Sequence, residues 1–293
     1  MPRFVAGWLL LLVLALGCSR RPSGTSSASG GEAGVRIAKR VVSLSPSTTE
    51  SLFAIGAKDV VVGRSRYCDF PAEALSLPQV GGFADPNFEA ILALKPDLVV
   101  GGRGPAGPQL LDRLAAFGTE GYFPENESFA QIDALLLGLG ARTGHAAEAG
   151  AVVTKLHARE AEVQAAVAGR PRWRVLLVFG LEPVVVAGPH SFANEMIERA
   201  GGTNAVREGS LYPTVGMEQI FALDPDVVVN AAIAEAHGAQ RIHREAPGWR
   251  ELRAVKSGRV VAIADESVLR PGPRIAEALA VFARGLHPEA AIP

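Results

Sequence analysis

The sequence predicts an α/β protein in which two parallel-sheet lobes are joined by one long helix. The first sign is residues 143–169, rich in Ala, Glu, Lys, Gln and Val and free of Pro until position 171, which is a helix-forming composition. Val152, Val153, Leu156, Val163 and Val167 recur at helical spacing, while Lys155, Arg159, Glu160 and Gln164 fill the other side, so one stripe should pack and the other face water. With Thr143 as cap and Gly169 and Pro171 as stop, such a helix spans roughly 36 Å and acts as a strut. The second sign is a pattern written once on each side of the strut. Glu89-Ala90-Ile91-Leu92-Ala93-Leu94-Lys95-Pro96-Asp97-Leu98-Val99-Val100 and Glu218-Gln219-Ile220-Phe221-Ala222-Leu223-Asp224-Pro225-Asp226-Val227-Val228-Val229 share E-x-I-x-A-L-x-P-D-(L/V)-V-V. Each copy reads as a short helix stopped before Pro, then a strand too apolar for a sheet edge. The third is an alternation of strands and helices in both halves, which argues for a parallel sheet in each.

The chain begins with a segment that sets its compartment. Arg3 precedes an apolar run, residues 4–16, that ends at Gly17-Cys18. The run has the length of a signal-peptide core and is too short for a comfortable membrane span, so residues 1–18 are expected to direct export. Cys18, after Ala15-Leu16-Gly17, resembles a bacterial lipoprotein cleavage site, where it would become the lipidated N-terminus and anchor the protein on the extracytoplasmic side of a membrane. Residues 19–38, dominated by Ser, Gly, Ala and Pro up to position 34, read as a flexible tether. Only Cys68 then remains as a thiol in the folded part, so an intramolecular disulfide is not expected.

The N-terminal lobe is expected over residues 39–142. Lys39-Arg40-Val41-Val42-Ser43-Leu44 opens it as a strand. Ser45-Pro46-Ser47-Thr48-Thr49-Glu50 supplies cap residues and a Glu placed like a capping box, ahead of an apolar helix over residues 51–55 that ends at Gly56. Val60-Val61-Val62-Gly63 is a second strand that runs into Arg64-Ser65-Arg66-Tyr67-Cys68-Asp69-Phe70-Pro71, a loop of the kind in which α/β proteins place ligands. Val80-Gly81-Gly82-Phe83 leads to the first repeated unit, and helices follow over residues 109–117 and 128–139. The strut takes residues 143–170, and the C-terminal lobe residues 171–293. In that lobe residues 174–179 and 184–186 and Val260-Val261-Ala262-Ile263 are expected strands. A helix starts at Ser191-Phe192 and ends at Gly201-Gly202, and the last runs from Pro273-Arg274 to about Gly285.

Composition and motifs exclude several functions. The 293 residues, 48% hydrophobic and 20% charged, suit a packed globular body, and a formal net charge of −1 gives no reason to expect a nucleic-acid partner. Arg241, His243, Arg244 and Arg250 read as a solvated face. Gly102-Arg103-Gly104-Pro105-Ala106-Gly107 matches G-x-G-x-x-G after a strand, but Pro105 and Pro108 remove amides that a phosphate would need, so it reads as a Gly/Pro loop. No metal set is expected, because His145 and His157 lie too far apart along a helix to share an ion. His190 sits in a loop, where a ligand contact competes with a capping role. Cys68 has no neighbouring His and reads as a small apolar filler, and no nucleophile elbow is present. Glu89 and Glu218 occupy the same place in the two repeats, either as helix-start residues favoured by the dipole or as a matched pair, one per lobe.

At these residues the chain resembles the cobalamin-binding components of importing ABC transporters, within the wider superfamily of helical-backbone receptors that also bind ferric siderophores, haem and metal ions. The likeness runs from about Arg40 to Leu286. It rests on Ser43-Leu44-Ser45-Pro46 with Thr49-Glu50, Tyr67-Cys68-Asp69-Phe70-Pro71, both repeated units, Phe179-Gly180, Ser191-Phe192 through Gly201-Gly202-Thr203-Asn204, and Arg270 with Gly272-Pro273-Arg274. The resemblance implies a ligand held in a cleft between the lobes, with cobalamin as transported ligand and no cofactor of its own. Tyr67 would contact the corrin face, Phe83 and Tyr212 would each stand where the family has a Trp, Phe179 keeps its aromatic, and Asp265 or Glu266 with Arg270 would line the pocket. Glu89 and Glu218 would match two carboxylates that dock on Arg residues of the permease membrane subunits. The resemblance thus implies a monomeric, exported, non-enzymatic receptor. A ferric siderophore or haem receptor is the alternative within binding proteins, and an exported enzyme on two α/β lobes the alternative from another class.

Overall fold

The computed structural model describes residues 36–103, 107–232, 242–263 and 270–293. Its first half runs β1 (Val41–Ser43), α1 (Pro46–Ala54), β2 (Val61–Arg64), α2 (Phe88–Ala93), β3 (Leu98–Val100), α3 (Gly107–Ala116), β4 (Glu120–Tyr122) and α4 (Phe129–Thr143). These strands form a parallel sheet of order β2-β1-β3-β4. After α5 (Ala146–Val167) come β5 (Arg174–Leu181), β6 (Val184–Val186), α6 (Phe192–Arg199), β7 (Thr203–Asn204), α7 (Met217–Leu223), β8 (Val227–Asn230), α8 (Arg253–Lys256), β9 (Val260–Ala262) and α9 (Ile275–Leu286). The second sheet is ordered β6-β5-β8-β9, with β7 also on β5. Residues 35–293 pack as one compact unit.

Both repeated strands are interior. β3 lies between β1 and β4, β8 lies between β5 and β9, and their Leu98, Val99, Val100, Val227, Val228 and Val229 are buried. The second sheet departs from the all-parallel expectation at one place. β6 runs antiparallel to β5, because only Glu182 and Pro183 join them and a parallel crossover needs a dozen residues or more. β4 and β7 carried no sequence signal, since each is very short and Glu120-Gly121 breaks any apolar run.

The strut begins later than Thr143. Gly144, at φ 79°, closes α4 in the left-handed conformation, and Thr143 belongs to the last turn of that helix, with its hydroxyl donating to the Leu139 carbonyl at 2.8 Å. His145 then takes the N-cap position of α5 with no side-chain cap bond. The 22 residues of α5 span about 33 Å and lie against α4 and α9. Leu156, Val163 and Val167 are buried as the stripe predicts, but Glu160, expected in water, is 6% exposed and accepts Arg199 Nη1 at 3.0 Å. A carboxylate leaves water only where a cation meets it, and α6 supplies that cation.

Two further expectations change. α1 starts at Pro46, with Ser45 Oγ accepting from the Thr48 amide, so Glu50 lies two residues too deep for a capping box and is buried instead. Ala38, placed in the tether, is buried and donates its amide to the Arg142 carbonyl at 2.7 Å. The signal segment with Cys18 lies outside the described residues. Among those described, no helix is long and apolar enough to cross a membrane.

Candidate ligand cleft

The carboxyl ends of parallel strands leave their loops free to bind, and here the loop after β4 in the first half meets the second half through Glu127. The loop after β2 presents Tyr67, and Phe83 is exposed beside it. Gly82 permits that approach, since a Cβ there would stand 3.0 Å from the Tyr67 ring and 2.3 Å from Asp85 Oδ1. Arg66 donates to Asp85 at 2.7 Å and lies 5.0 Å from the Tyr67 ring centroid, so the ion pair props the aromatic.

In the opposite lobe Phe179 projects from β5, and Tyr212 lies in a segment tied to the β6 end by Gly188 N to Leu211 O and Val186 N to Pro213 O bonds. The two rings meet edge to face at 5.5 Å. The Tyr212 hydroxyl donates to Glu127 Oε2 at 2.8 Å, and Glu127 stands in the loop after β4 of the other lobe. Burial, then Glu127, pushes the Tyr212 hydroxyl far above the usual tyrosine range.

Glu127 is half of a reciprocal seam. Its Oε2 also accepts the Phe192 amide at 3.3 Å at the start of α6, while Glu195 Oε2 of α6 accepts the Phe129 amide at 2.8 Å at the start of α4. Each helix start is thus capped twice, by its own Ser128 or Ser191 and by a carboxylate from the other lobe. The Phe129 and Phe192 rings stack between them at 6.0 Å. A second seam lies at the other side. Buried Glu50 accepts Arg274 Nε and Nη2 at 2.8 and 2.9 Å and Arg270 Nη1 at 3.2 Å, and Arg270 also reaches Asp69 at 2.9 Å. Arg270 holds Asp69 below the usual carboxylate range.

The structure therefore pairs Tyr67 with the Phe83 segment in one lobe and Phe179 with Tyr212 in the other. It places Arg270 in the interlobe seam, with Glu50 and Asp69, while Asp265 and Glu266 lie outside the described residues. Sequence reasoning missed Glu127, Glu195 and the buried role of Glu50. The one visible signal for the first seam was Ser-Phe repeated at two helix starts, Ser128-Phe129 and Ser191-Phe192.

Glu89 and Glu218 sit in the first turns of α2 and α7, are exposed, and have no hydrogen-bond or ion-pair partner among the described residues. The Asp that follows Pro in each repeat is occupied. Asp97 accepts the Lys39 and Arg40 amides, both at 2.9 Å, and Asp226 accepts the Arg174 amide at 2.9 Å. Arg40 and Arg174 donate to the Leu94 and Leu223 carbonyls that end the two helices.

Such a site offers aromatic surface and a charged rim. Cys68 is buried, and burial pushes its thiol up, away from the reactive thiolate. Among the described residues no three His, Cys, Asp or Glu side chains group as a metal cage. Residues 41–266 match the family described as Periplasmic binding protein. The chain belongs to that family. As a periplasmic binding protein it is 31% identical to the vitamin B12-binding protein of Photorhabdus laumondii over 238 residues, 80% of this chain and 83% of that one. A solved periplasmic haem-binding protein, BhuT in complex with two haems, matches at TM-score 0.76 and 27% identity, covering 85% of this chain and 97% of that one. The vitamin B12-binding protein BtuF of Vibrio cholerae matches at TM-score 0.73 and 27% identity, covering 85% and 96%.

Proposed function

We propose that this periplasmic binding protein captures cobalamin between its lobes and delivers it to the membrane subunits of an ABC importer, without transforming it. One observation carries the reading: exposed aromatics stand at the strand ends of both lobes, Tyr67 and Phe83 on one side, Tyr212 against Phe179 on the other. A broad flat ligand gains stacking area from two such walls. Likeness to vitamin B12-binding proteins, at 31% identity over most of the chain, supports cobalamin as that ligand. Tyr67, Phe83, Phe179, Tyr212 and Arg270 are its contacts in this reading, with Asp265 or Glu266 added from outside the described residues. Glu89 and Glu218 are the docking carboxylates in this reading, because they recur at one place in both repeats and stand exposed without a partner among the described residues. Export through residues 1–18, a lipid on Cys18 and a monomeric body complete the reading.

Haem is the second reading, favoured by the likeness to a receptor that holds two haems. Calorimetry of the purified body against cobalamin, haem and several ferric siderophores decides between them. Cobalamin is expected to bind tightest, and Tyr67→Ala to weaken it by about 1 to 3 kcal/mol while leaving the melting temperature in place. Haem bound tightly with no heat from cobalamin would overturn the first reading.

A further inference from the structure

Glu127 belongs neither to the aromatic walls nor to the docking pair, yet it touches both the ligand side and the frame of the cleft. One oxygen, Oε2, receives two donors from the opposite lobe, the Tyr212 hydroxyl at 2.8 Å and the Phe192 amide at 3.3 Å. A hydroxyl that donates to a carboxylate keeps its proton, since losing it would set two anions side by side. The Tyr212 ring is 39% exposed and packs edge to face on Phe179, so it has surface left for a ligand while its oxygen is engaged. Phenolate ligation is one way proteins hold ferric haem, and it requires loss of the proton that the Glu127 contact keeps on Tyr212.

We propose that Glu127 is a specificity-determining positioning residue: it holds Tyr212 as a neutral stacking surface, tied to the N-terminal lobe, and so disposes the cleft toward a macrocycle that brings its own axial ligands over a ferric one held by phenolate. The affinity part of this inference rests on the cobalamin reading above, whereas the state of Tyr212 stands without any ligand.

The test uses the folded body with Glu127→Ala, Tyr212→Phe and the double variant. The chain has three tyrosines, so the phenolate absorbance of wild type minus Tyr212→Phe isolates Tyr212. Tyr212 is expected to stay protonated well beyond the ordinary value of about 10 in wild type and to return toward it in Glu127→Ala. Cobalamin affinity should fall roughly fivefold in each single variant, in line with one lost hydrogen bond, and no further in the double. In a Tyr67→Phe background, which removes the other cleft tyrosine, ferric haem added to Glu127→Ala should develop a phenolate-to-iron charge-transfer band that the Tyr67→Phe parent lacks. An unchanged Tyr212 titration in Glu127→Ala, additive affinity losses, or the same band in that parent would overturn the proposal. Should Glu127→Ala fail to fold, Glu127→Gln keeps an acceptor without the charge, and a Tyr212 titration that does not move in it likewise counts against the proposal. If wild type binds no cobalamin, the proposed function fails, and the titration still decides what Glu127 does.

Discussion

The two copies of the repeated unit reach one geometry by different means. α2 is started by Asn87, whose side chain accepts the Ala90 amide at 3.0 Å, whereas α7 is started by Gly216, whose amide donates to Gln219 Oε1 at 2.9 Å. Both helices are followed by a non-glycine residue at positive φ directly before Pro, Lys95 at 47° and Asp224 at 38°. After each Pro an Asp reaches back to backbone amides at the start of the neighbouring strand. Among the described residues only the second copy carries an added tie, Arg253 to Asp224 at 3.2 Å and to Asp226 at 2.7 Å. Caps and ion pairs are therefore exchangeable, while the L-x-P-D turn and the Arg at the start of the neighbouring strand recur. The Glu recurs too without a partner in either copy among the described residues, and for that reason it is the residue we propose for docking.

The largest expected effect tests that last point. Glu89→Ala with Glu218→Ala should weaken capture by permease-bearing membranes by on the order of 2 kcal/mol or more, roughly 30-fold, because each Arg left behind on the permease is unpaired. Melting temperature and ligand affinity should stay near wild type. Intact capture, with up to about 1 kcal/mol of stability lost per site, would return both residues to the role of helix-start charges.

Next comes the turn itself. Asp97→Ala removes the acceptor of two amides, and Asp226→Ala removes the acceptor of one amide together with the Arg253 pair. Each should cost about 2 kcal/mol in urea unfolding, and the two should agree within about 1 kcal/mol. A harmless change at either site would break the equivalence of the copies.

A smaller effect separates the two positive-φ residues. Lys95→Gly should stabilise by about 0.5 kcal/mol, since glycine accepts the left-handed region that a long side chain resists. Asp224→Gly should gain less or lose, because Asp tolerates that region and holds Arg253. Equal gains at both sites would show that the Arg253 tie contributes nothing.

The smallest effect is the acid limb of the second copy. Burial works against the charged Asp226, but the Arg174 amide and Arg253 together hold its carboxyl below the usual range. A carboxyl lowered by folding contributes stability above its unfolded value of about 3.9 and loses it as pH falls through the folded value. Asp226→Asn should thus flatten the fall of the urea midpoint below about pH 4, and an unchanged slope would deny Asp226 that part.

Much of the architecture was legible because it rests on local chemistry. β3 and β8 were readable as interior strands from Leu98-Val99-Val100 and Val227-Val228-Val229, and the stripe of α5 from Leu156, Val163 and Val167. Boundaries were less so: Gly144 ends α4 where Thr143 resembled a cap, and the choice depends on which helix the turn serves. The candidate site was half legible. Tyr67, Phe83, Phe179 and Tyr212 were reached through the family resemblance, with the loop that holds Tyr67 also readable as a strand-end loop, while Glu50 resembled a capping residue and Glu127 an ordinary loop acid.

By itself the sequence determined the period of the longer elements and the repeated helix-Pro-Asp-strand unit, both of which follow from backbone preferences over a few residues. Only the tertiary structure decided which charges meet. Glu127 and Phe192 are 65 positions apart, Phe129 and Glu195 are 66, and Glu50 and Arg270 are 220. A glutamate in a polar stretch reads the same whether water or a distant arginine will surround it, and only the packing of one lobe on the other separates the exposed Glu89 and Glu218 from the buried Glu50 and Glu160.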